Sequence, residues 1–490
     1  MSDPTLKTFI AYFIILMAIG LYFYFKSKNI SDYLLGGRGM GAWVTALSAQ
    51  ASDMSGWLLM GLPGAVYLTG VAGAWIAIGL FIGTALNWIL VSRRLRVYTK
   101  NTNAITLPCF FEARFRDPTG LTRIISAIII LIFFAVYASS GLKATGLLFE
   151  STFNVPYGQA VFIGGLVIIL YTFLGGFLAV CWTDLIQGAL MVFAIVLVPI
   201  ISFRSAGGAN AIREALTAKG ASTGLIPIGD GLPLLIILSS MAWGLGYFGQ
   251  PHILVRFMSI KSVAKLRQSM SIAVIWVLLS LTGAVAVGLI STTMFEGLAE
   301  KEEQKVFIYM IDKLFNPWFG GILLAAIFSA IMSTIDSQLL VSSSALSEDF
   351  YVKTIRKNAS TKEVIWVGRA CVILISAIAL VLALNPESTI LEIVSYAWGG
   401  FGAAFGPLVL FSLFSRRTTW QAALAGMVTG TVVLVLWEQI GLGQTLYEIV
   451  PGFIANCAMI ATVNTFSPQK DKTVLAEYDS MVAAVEGRSC

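Results

Sequence analysis

Long apolar blocks alternate with short polar segments along most of the chain. The segments 6–25, 124–136 and 372–384 are apolar almost throughout. An apolar run of about 18 residues or more is typical of a membrane-spanning helix. The pattern therefore predicts an all-α polytopic membrane protein with about 13 transmembrane helices. The predicted spans lie near 6–25, 43–69, 72–92, 123–149, 158–178, 185–204, 232–257, 269–292, 319–345, 364–384, 390–414, 421–441 and 446–466.

Composition supports this prediction, because 57% of the 490 residues are hydrophobic and only 12% are charged. Soluble domains carry about 25% charged residues, so we expect most of the surface to face lipid. The net charge of +6 does not indicate nucleic-acid binding, since the excess lies in loops between spans. The five cysteines are scattered without metal-ligand or disulfide spacing. With no nucleophile–base pattern either, we expect a transporter and not an enzyme.

The distribution of positive charge predicts the orientation, because cytoplasmic loops are enriched in Lys and Arg. With the N-terminus outside, two basic clusters fall on the cytoplasmic side and an acidic stretch falls outside. The clusters are Arg93, Arg94, Arg96, Lys100, Arg114, Arg116 and Arg123, and then Arg256, Lys261, Lys265 and Arg267; the acidic stretch is Glu296, Glu300, Glu302 and Glu303. The first segment lacks a basic leader and a cleavage site, so we interpret it as a retained span. We expect a multi-pass protein of the cell inner (plasma) membrane with a cytoplasmic C-terminus.

The second predicted span carries polar residues at its centre. Ser52, Asp53, Ser55 and Gly56 interrupt the apolar segment 43–69, and each of them disfavours a continuous helix. A broken helix exposes backbone groups that hydrocarbon penalises by several kcal/mol each, so breaks survive where they line a site. A carboxylate at mid-membrane is a functional-site hypothesis by default. The alternative is a packing face of small residues, with Asp53 paired to another helix.

The seventh predicted span carries helix breakers. Gly244, Gly246, Gly249 and Pro251 all fall within 232–257. The alternative is a proline kink with glycines at a helix contact.

The two predicted breaks lie five spans apart. Spans 2–6 and 7–11 would each begin with a broken helix, which is typical of an inverted-repeat transporter with its site at the midplane. The predicted organisation has six parts. These are an N-terminal helix and loop (1–42), a first repeat (43–204), an extracellular loop (205–231), a second repeat (232–414), two accessory helices (415–466) and a cytoplasmic tail (467–490).

The ninth predicted span carries a stripe of hydroxyl groups. Ser329, Ser333 and Ser337 recur at every fourth position, with Thr334 and Asp336 beside them, so their side chains share one helical face. Sodium is a hard cation that takes oxygen ligands, and two hydroxyls with freed backbone carbonyls would make a cage. The alternative is a small-residue packing face whose hydroxyls bond to their own helix.

Several of these segments match motifs of one transporter family. The motifs are Ala51-Ser-Asp-Met-Ser-Gly-Trp-Leu-Leu-Met-Gly-Leu-Pro-Gly-Ala65, the run 243–252, Met332-Ser-Thr334, Ser395-Tyr-Ala-Trp398 and Phe401-Gly-Ala-Ala-Phe-Gly-Pro407. From about Ser31 to the last span, the chain resembles the proline-transporting members of the sodium/solute symporter family. The resemblance implies a LeuT-like core of ten helices in two inverted repeats, with one helix before it and two after. It also implies L-proline as the solute and a sodium ion as the coupling ion.

The same resemblance implies roles for individual residues. The sodium site would comprise Ala51, Met54, Ala330, Ser333 and Thr334. The solute pocket would comprise Ser55, Gly56, Tyr137, Trp243, Tyr247 and Pro251. Residues for coupling or gating would be Asp53, Arg38, Asp184 and Asp336. An aromatic pocket suits a pyrrolidine ring, while its ammonium and carboxylate groups suit backbone groups and helix ends.

Some positions keep a second interpretation. Arg38 is also consistent with an ordinary cytoplasmic charge, and Asp184 with a helix N-cap. Asp336 is a carboxylate beside the hydroxyl stripe, where it could tune the ion site. His252, the one histidine in the sequence, is more typical of a packing residue than of a proton relay. Alternative functions are sodium-coupled transport of another small solute, proton-coupled proline transport, or a sensor built on the same scaffold.

Overall fold

The computed structural model describes residues 3–26, 35–174, 176–228, 232–385 and 387–487, and these fold almost entirely into helices. The helices are α1 (Asp3–Lys26), α2 (Ala42–Ala51), α3 (Leu62–Thr69), α4 (Ala74–Leu86), α5 (Ser92–Asn101), α6 (Leu107–Phe115), α7 (Leu121–Phe153), α8 (Tyr157–Leu174), α9 (Phe177–Ser205), α10 (Gly208–Lys219), α11 (Pro233–Ala242), α12 (Pro251–Ser259), α13 (Leu266–Met294), α14 (Val306–Leu314), α15 (Pro317–Ser344), α16 (Thr361–Ala383), α17 (Ile390–Phe414), α18 (Trp420–Gln439), α19 (Ile449–Phe466) and α20 (Lys472–Glu486). Tighter or wider helical turns join several of them, at Trp57–Gly61, Asn87–Val91, Trp243–Gly249, Glu302–Lys305 and Ala345–Ile355.

Ten helical segments within the described residues are long and apolar enough to cross a membrane. They confirm the prediction of an all-α polytopic membrane protein. Three further apolar segments are shorter, namely Trp57–Thr69, Tyr157–Phe173 and Pro233–Gly249. The first and third are parts of the predicted second and seventh spans, whose interruption leaves each continuous piece short. The total of 13 spans stays a prediction.

Burial separates central helices from peripheral ones. Within the most apolar window of the segment containing α15, 83% of residues are buried inside the protein, and α17 has the same value. The corresponding value is only 17% for α1 and 22% for α19. The helix that carries the hydroxyl stripe is thus surrounded by other helices, whereas the first and last spans present mostly apolar side chains outward.

The two ends of the helical bundle differ in charge. At one end, which we name the basic end, Arg96 donates from Nε to the carbonyl of Ile260 at 2.7 Å. At the same end Arg114 donates to the carbonyls of Ser412 and Ser415, at the end of α17. The basic end also carries α20, which is fastened by an ion pair of 2.6 Å between Arg116 and Glu477.

The opposite end, which we name the acidic end, holds the turn Glu302–Lys305. Gln304 accepts a hydrogen bond from the backbone N–H of Ile390, at the start of α17, and Lys305 pairs with Glu150 of α7 at 3.2 Å. The first described helix starts here, because Thr5 donates to the carbonyl of Pro317. The start of α1 and helix α20 therefore lie at opposite ends of the bundle.

A loop at the basic end sets the start of α7. Asp117 accepts hydrogen bonds from the backbone N–H and the hydroxyl of both Thr119 and Thr122, at 2.6–2.9 Å. Partial burial of Asp117 opposes its charged form, but these four bonds outweigh that effect and lower the pKa of the carboxyl group. An ionised Asp117 therefore stabilises this end of the longest described helix.

Candidate functional site

The predicted break in the second span is present. Helix α2 ends at Ala51, and regular α-helix resumes only at Leu62, after a non-helical stretch and the wide turn Trp57–Gly61. The Ser52 hydroxyl donates to the carbonyl of Ser48 at 2.7 Å, so a side chain competes locally with the backbone ladder. At Gly56 an added Cβ would lie 2.6 Å from the Cβ of Ala144, so the broken segment packs against α7 too closely for a side chain.

The predicted break in the seventh span is also present. Helix α11 gives way at Trp243 to a tight 3₁₀ turn, and after the extended residue Gln250 helix α12 begins at Pro251. An added Cβ at Gly246 would lie 1.9 Å from Nε1 of Trp398. Close packing against α17 thus requires glycine here. Pro251 stands at the first turn of α12, where its missing N–H costs no helical bond.

The break in the second span meets the hydroxyl stripe of α15. The carbonyl oxygen of Ala51 accepts hydrogen bonds from Ser333 at 2.7 Å and from Thr334 at 3.2 Å. Both hydroxyls also lie 3.1 Å from the carbonyl oxygen of Ala330. Four of the five predicted sodium ligands therefore bring their oxygens together, and all four residues are buried. This cluster contains only oxygen donors, which suits a hard cation.

Met54, the fifth predicted ligand, is buried in the same broken segment, where its N–H donates to the carbonyl of Gln50. Among the described residues there is no group of three or more His, Cys, Asp or Glu side chains that could hold a metal ion. A cation at this position would therefore rely on neutral oxygens and not on a carboxylate cage.

Asp53 joins the two breaks to each other. Its Oδ2 accepts a 2.6 Å hydrogen bond from the hydroxyl of Tyr247, which lies in the turn of the seventh span. Its backbone carbonyl accepts hydrogen bonds from Trp57 at 3.0 Å and from Tyr137 at 3.4 Å. The carboxylate is fully buried. Its position is consistent with holding the unwound segment in shape, the role that the resemblance implies.

Aromatic rings surround the broken segments. The Trp243 ring lies 6.5 Å from that of Trp57 and 5.5 Å from that of Tyr447. Tyr247 packs edge-on against Trp398 at 4.9 Å. Ser55 lies in the same segment, with its Oγ 3.4 Å from the N–H of Trp57.

Pro251 is placed differently from the aromatic residues of the predicted pocket. It lines a small cavity nearer the basic end, together with Ile130, Phe177, Val255 and Ser344.

The predicted gating residues occupy separate positions. Arg38 donates from Nη2 to the carbonyls of Thr99 and Ala104, both at 2.8 Å, and so ties the segment before α2 to the end of α5. Asp336 accepts a hydrogen bond from Thr172 of α8. Its second carboxylate oxygen is buried and makes no hydrogen bond among the described residues.

The N-cap interpretation of Asp184 is wrong. Helix α9 begins at Phe177 with Gly176 as its N-cap, so Asp184 lies two turns inside the helix. Its Oδ2 accepts a 2.6 Å hydrogen bond from Ser48 and pairs with Arg256 at 3.4 Å. Arg256 belongs to the basic cluster at the end of the seventh predicted span (232–257), and the structure places its side chain fully buried within α12. The distribution of charge alone could not distinguish Arg256 from Lys261, Lys265 and Arg267. The apolar residues on both sides of Arg256 were a signal that it lies within the span.

Trp57 and Trp398 are further site residues that were not predicted. Trp57 follows the Ser-Gly pair of the first break, four residues after Asp53, a spacing that could have suggested its contact. Trp398 donates from Nε1 to the carbonyl of Trp243 at 2.8 Å, a long-range contact without a signal in the sequence.

His252 is buried between the rings of Phe134 and Tyr137, at 5.5 and 6.1 Å. Aromatic packing therefore surrounds this histidine.

Solved structures share this fold. A sodium-coupled sialic acid symporter in a substrate-bound, outward-open state superposes with a TM-score of 0.81 at 17% identity, covering 96% of this chain and 99% of that one. Mhp1, a nucleobase-cation-symport-1 family transporter, gives 0.56 at 12% identity in a closed conformation, covering 92% and 99%. The chain therefore shares the fold of these two solved transporters.

The chain belongs to the sodium:solute symporter family, whose profile matches residues 33–430. It is 50% identical over 461 residues to the sodium/proline symporter of Escherichia coli K12, covering 92% of this chain and 91% of that protein. It is 46% identical over 467 residues to the high-affinity proline transporter PutP of Bacillus subtilis, covering 95% and 98%. These relatives are transporters, which confirms the expectation that the chain is not an enzyme.

Proposed function

We propose that this chain is a sodium-coupled symporter that takes up L-proline across the cell inner membrane by alternating access. The observation that carries the proposal is the meeting of Ala51 with Ser333 and Thr334 at a break in the second span. Relatives named as sodium/proline symporters at 46–50% identity over most of the chain support proline as the solute and sodium as the coupling ion.

Sodium would be held by the carbonyl oxygens of Ala51, Met54 and Ala330 and by the hydroxyls of Ser333 and Thr334. Those hydroxyls now donate to the same carbonyls, and they would turn their lone pairs to the ion when it binds. The ion would thereby replace hydrogen bonds that hold α2 against α15. Binding would keep the broken helix closed on its partner, which is the physical basis of coupling.

Proline would bind between the two breaks, against Ser55, Gly56, Tyr137, Trp243 and Tyr247. An aromatic face near the ammonium group would add a cation–π contribution of about 1 kcal/mol. Pro251 would form the edge of the pocket that faces the basic end. Because sodium and proline both fix the segment around Asp53, each should raise the affinity for the other by the same factor.

The proposed topology has 13 spans in a LeuT-like arrangement. Spans 2–6 and 7–11 form the two inverted repeats, the basic end faces the cytoplasm and the N-terminus lies outside. In support of this, the Lys and Arg residues of the α5–α6 region lie at the basic end together with α20. Arg38, Asp184 and Asp336 would act in gating or coupling near that end.

The energetics fit a ratio of one sodium ion to one proline molecule. Proline is a zwitterion, so each cycle carries one net positive charge inward. A membrane potential of about 100 mV contributes roughly 2.3 kcal/mol, and a tenfold sodium gradient contributes about 1.4 kcal/mol. The sum supports an accumulation on the order of 500-fold.

The test is uptake of labelled proline by the purified protein in proteoliposomes, with an inward sodium gradient and a negative interior. Uptake should require sodium and should be competed by unlabelled proline more strongly than by other amino acids, carboxylates or sugars. Uptake that persists without sodium and follows the pH gradient would identify a proton symporter instead. Stronger competition by another solute would overturn the assignment of proline.

A further inference from the structure

A tyrosine from outside the two predicted repeats packs against the tryptophan of the proposed solute pocket. Tyr447 lies two residues before the start of α19, in the predicted accessory region 415–466. Its ring lies 5.5 Å from the ring of Trp243, and the two planes are inclined by 32°. Trp243 also contacts the ring of Trp57, at 6.5 Å. We name Trp57, Trp243 and Tyr447 the aromatic row, in which Trp243 is the member that contacts both others.

Hydrogen bonds fix Tyr447 from several sides. Its hydroxyl donates to the carbonyl of Ser395 on α17 at 2.7 Å, and its backbone N–H donates to the hydroxyl of Ser239 on α11 at 3.1 Å. The preceding residue, Leu446, is held by its carbonyl, which accepts a 2.9 Å bond from Nε1 of Trp437 on α18. The residue is buried. Both its main chain and the tip of its ring are therefore anchored.

One turn of α17 holds Tyr447 and Trp243 together. An added Cβ at Gly399 would lie 3.3 Å from the hydroxyl oxygen of Tyr447, so the absence of a side chain there lets the ring approach α17 closely. The neighbouring Trp398 donates to the carbonyl of Trp243 at 2.8 Å. Trp243 is thus held at its main chain by α17 and at its ring by Tyr447.

The other contact of the Trp243 ring is anchored as well. Trp57 donates from Nε1 to the carbonyl of Asp53 at 3.0 Å, within the break of the second span. Trp243 itself is buried, and a close-packed ring moves only if a neighbour moves with it. Tyr447 therefore determines how far the Trp243 ring can recede from the space between the two breaks.

We propose that Tyr447 is a positioning residue that sets the size of the solute pocket through Trp243, and so selects for a five-membered ring. A solute with a larger ring needs Trp243 to recede, and Tyr447 opposes that movement. This inference rests on the proposed function and gives the accessory region a part in solute selection. Tyr447 acts through Trp243 and makes no contact of its own with the solute.

The test compares proline with L-pipecolate, its homologue with one more methylene in the ring. Uptake of labelled proline by proteoliposomes is measured under a sodium gradient, with each unlabelled compound as competitor. The readout is the half-inhibiting concentration of pipecolate divided by that of proline. In the parent chain this ratio should be at least about 10, because one methylene in an apolar pocket changes recognition by about 10- to 200-fold.

Tyr447→Leu should lower this ratio at least about threefold, because the smaller side chain leaves room behind Trp243. It should also raise the half-saturating proline concentration about fivefold, since an aromatic contact is lost. The half-saturating sodium concentration at saturating proline should stay within about twofold of the parent value. Tyr447→Phe keeps the ring and should keep the ratio within about twofold.

The matched control is Phe453→Leu, which removes a ring from the same helix. Phe453 packs against α17 at Gly406, where an added Cβ would lie 2.6 Å from Cε2 of Phe453. If accessory packing in general set the pocket, this change would also lower the ratio. We expect the ratio to stay within about twofold of the parent value, because Phe453 lies six residues beyond Tyr447 and contacts another turn of α17.

An unchanged ratio in Tyr447→Leu overturns the proposal, and so does an equal fall in Phe453→Leu or in Tyr447→Phe. If Tyr447→Leu is not recovered from the membrane, Tyr447→Met decides by the same ratio, because methionine fills irregular space without a ring. Sodium dependence of proline uptake by the parent chain is measured in parallel. Uptake without sodium refutes the proposed function, whereas sodium-dependent uptake with an unaltered ratio in Tyr447→Leu refutes only the role of Tyr447.

Discussion

Replacement of Ser333 by alanine is the sharpest test of the proposed sodium site. The change removes one hydroxyl and keeps the Cβ, so the backbone of α15 need not move. In the present structure that hydroxyl lies 2.7 Å from the carbonyl of Ala51 and 3.1 Å from that of Ala330. Its loss removes one of five proposed ligands to sodium and also weakens the junction between α2 and α15.

The size of the effect follows from the burial of this junction. Ser333 is fully buried, so water cannot readily replace the missing oxygen. Loss of a partner that leaves a buried polar group unsatisfied costs about 1–3 kcal/mol, which corresponds to a rise of about 5- to 150-fold in the sodium concentration that half-saturates uptake. Because the coupling is reciprocal, the apparent affinity for proline at low sodium should fall as well.

The assay is the initial rate of proline uptake in proteoliposomes as a function of sodium concentration. Ser329→Ala is the matched control, since Ser329 lies one turn away on the same helix and donates to the carbonyl of Ala325 within that helix. It should change the half-saturating sodium concentration by less than about twofold. If Ser333→Ala behaves like this control, or lowers only the maximal rate, the hydroxyl serves packing and the ligand assignment is refuted.

Three further changes have defined outcomes. Tyr247→Phe removes the 2.6 Å bond to Asp53 and should raise the half-saturating concentrations of both sodium and proline about tenfold. If Tyr247→Phe takes up proline like the parent while Asp53→Asn is inactive, this contact is not used in transport. Trp243→Ala should raise the half-saturating proline concentration at least about fivefold and should raise the half-saturating sodium concentration less. If uptake kinetics show equal increases in the two concentrations, Trp243 does not contact the solute. Asp117→Asn should lower the thermal unfolding temperature at pH 7. Because folding lowers the pKa of Asp117, its contribution is present above the unfolded value of about 3.9 and is lost as the pH falls through the folded value. The two unfolding temperatures should therefore converge in acid, and a constant difference would contradict this account.

The breaks in two spans could be predicted from the sequence because their causes are local. Ser52 competes with the helix ladder through its own side chain, and Pro251 cannot continue a helix from the residue before it. The hydroxyl stripe was equally visible, since spacing alone puts Ser329, Ser333 and Ser337 on one face. What spacing could not decide was whether those hydroxyls bond their own helix or another one. The structure shows both, because Ser333 bonds Ala330 in α15 and Ala51 in α2.

Arg256 and Asp184 show what sequence patterns could not predict. The distribution of positive charge predicts the side of the membrane on which a cation near the end of a span lies, but not its partner, and a carboxylate near the start of a helix is usually assigned to the cap. Both residues instead lie within helices and face each other, because α9 and α12 meet only in the folded bundle. Pairings between residues far apart in the chain leave no trace in local periodicity, and the same holds for Trp398 with Trp243.

The backbone N–H of Lys261 donates to the carbonyl of Met40, and this bridge constrains how the protein is made. These residues lie about 220 positions apart in the sequence, and a ribosome adds about 5–20 residues per second. The start of the first broken helix therefore waits roughly 10–45 s for its partner to be synthesised. During that interval Asp53 lacks Tyr247, and an unwound polar segment left in lipid would be costly. We therefore expect membrane insertion of this segment to be completed only after the second repeat has emerged.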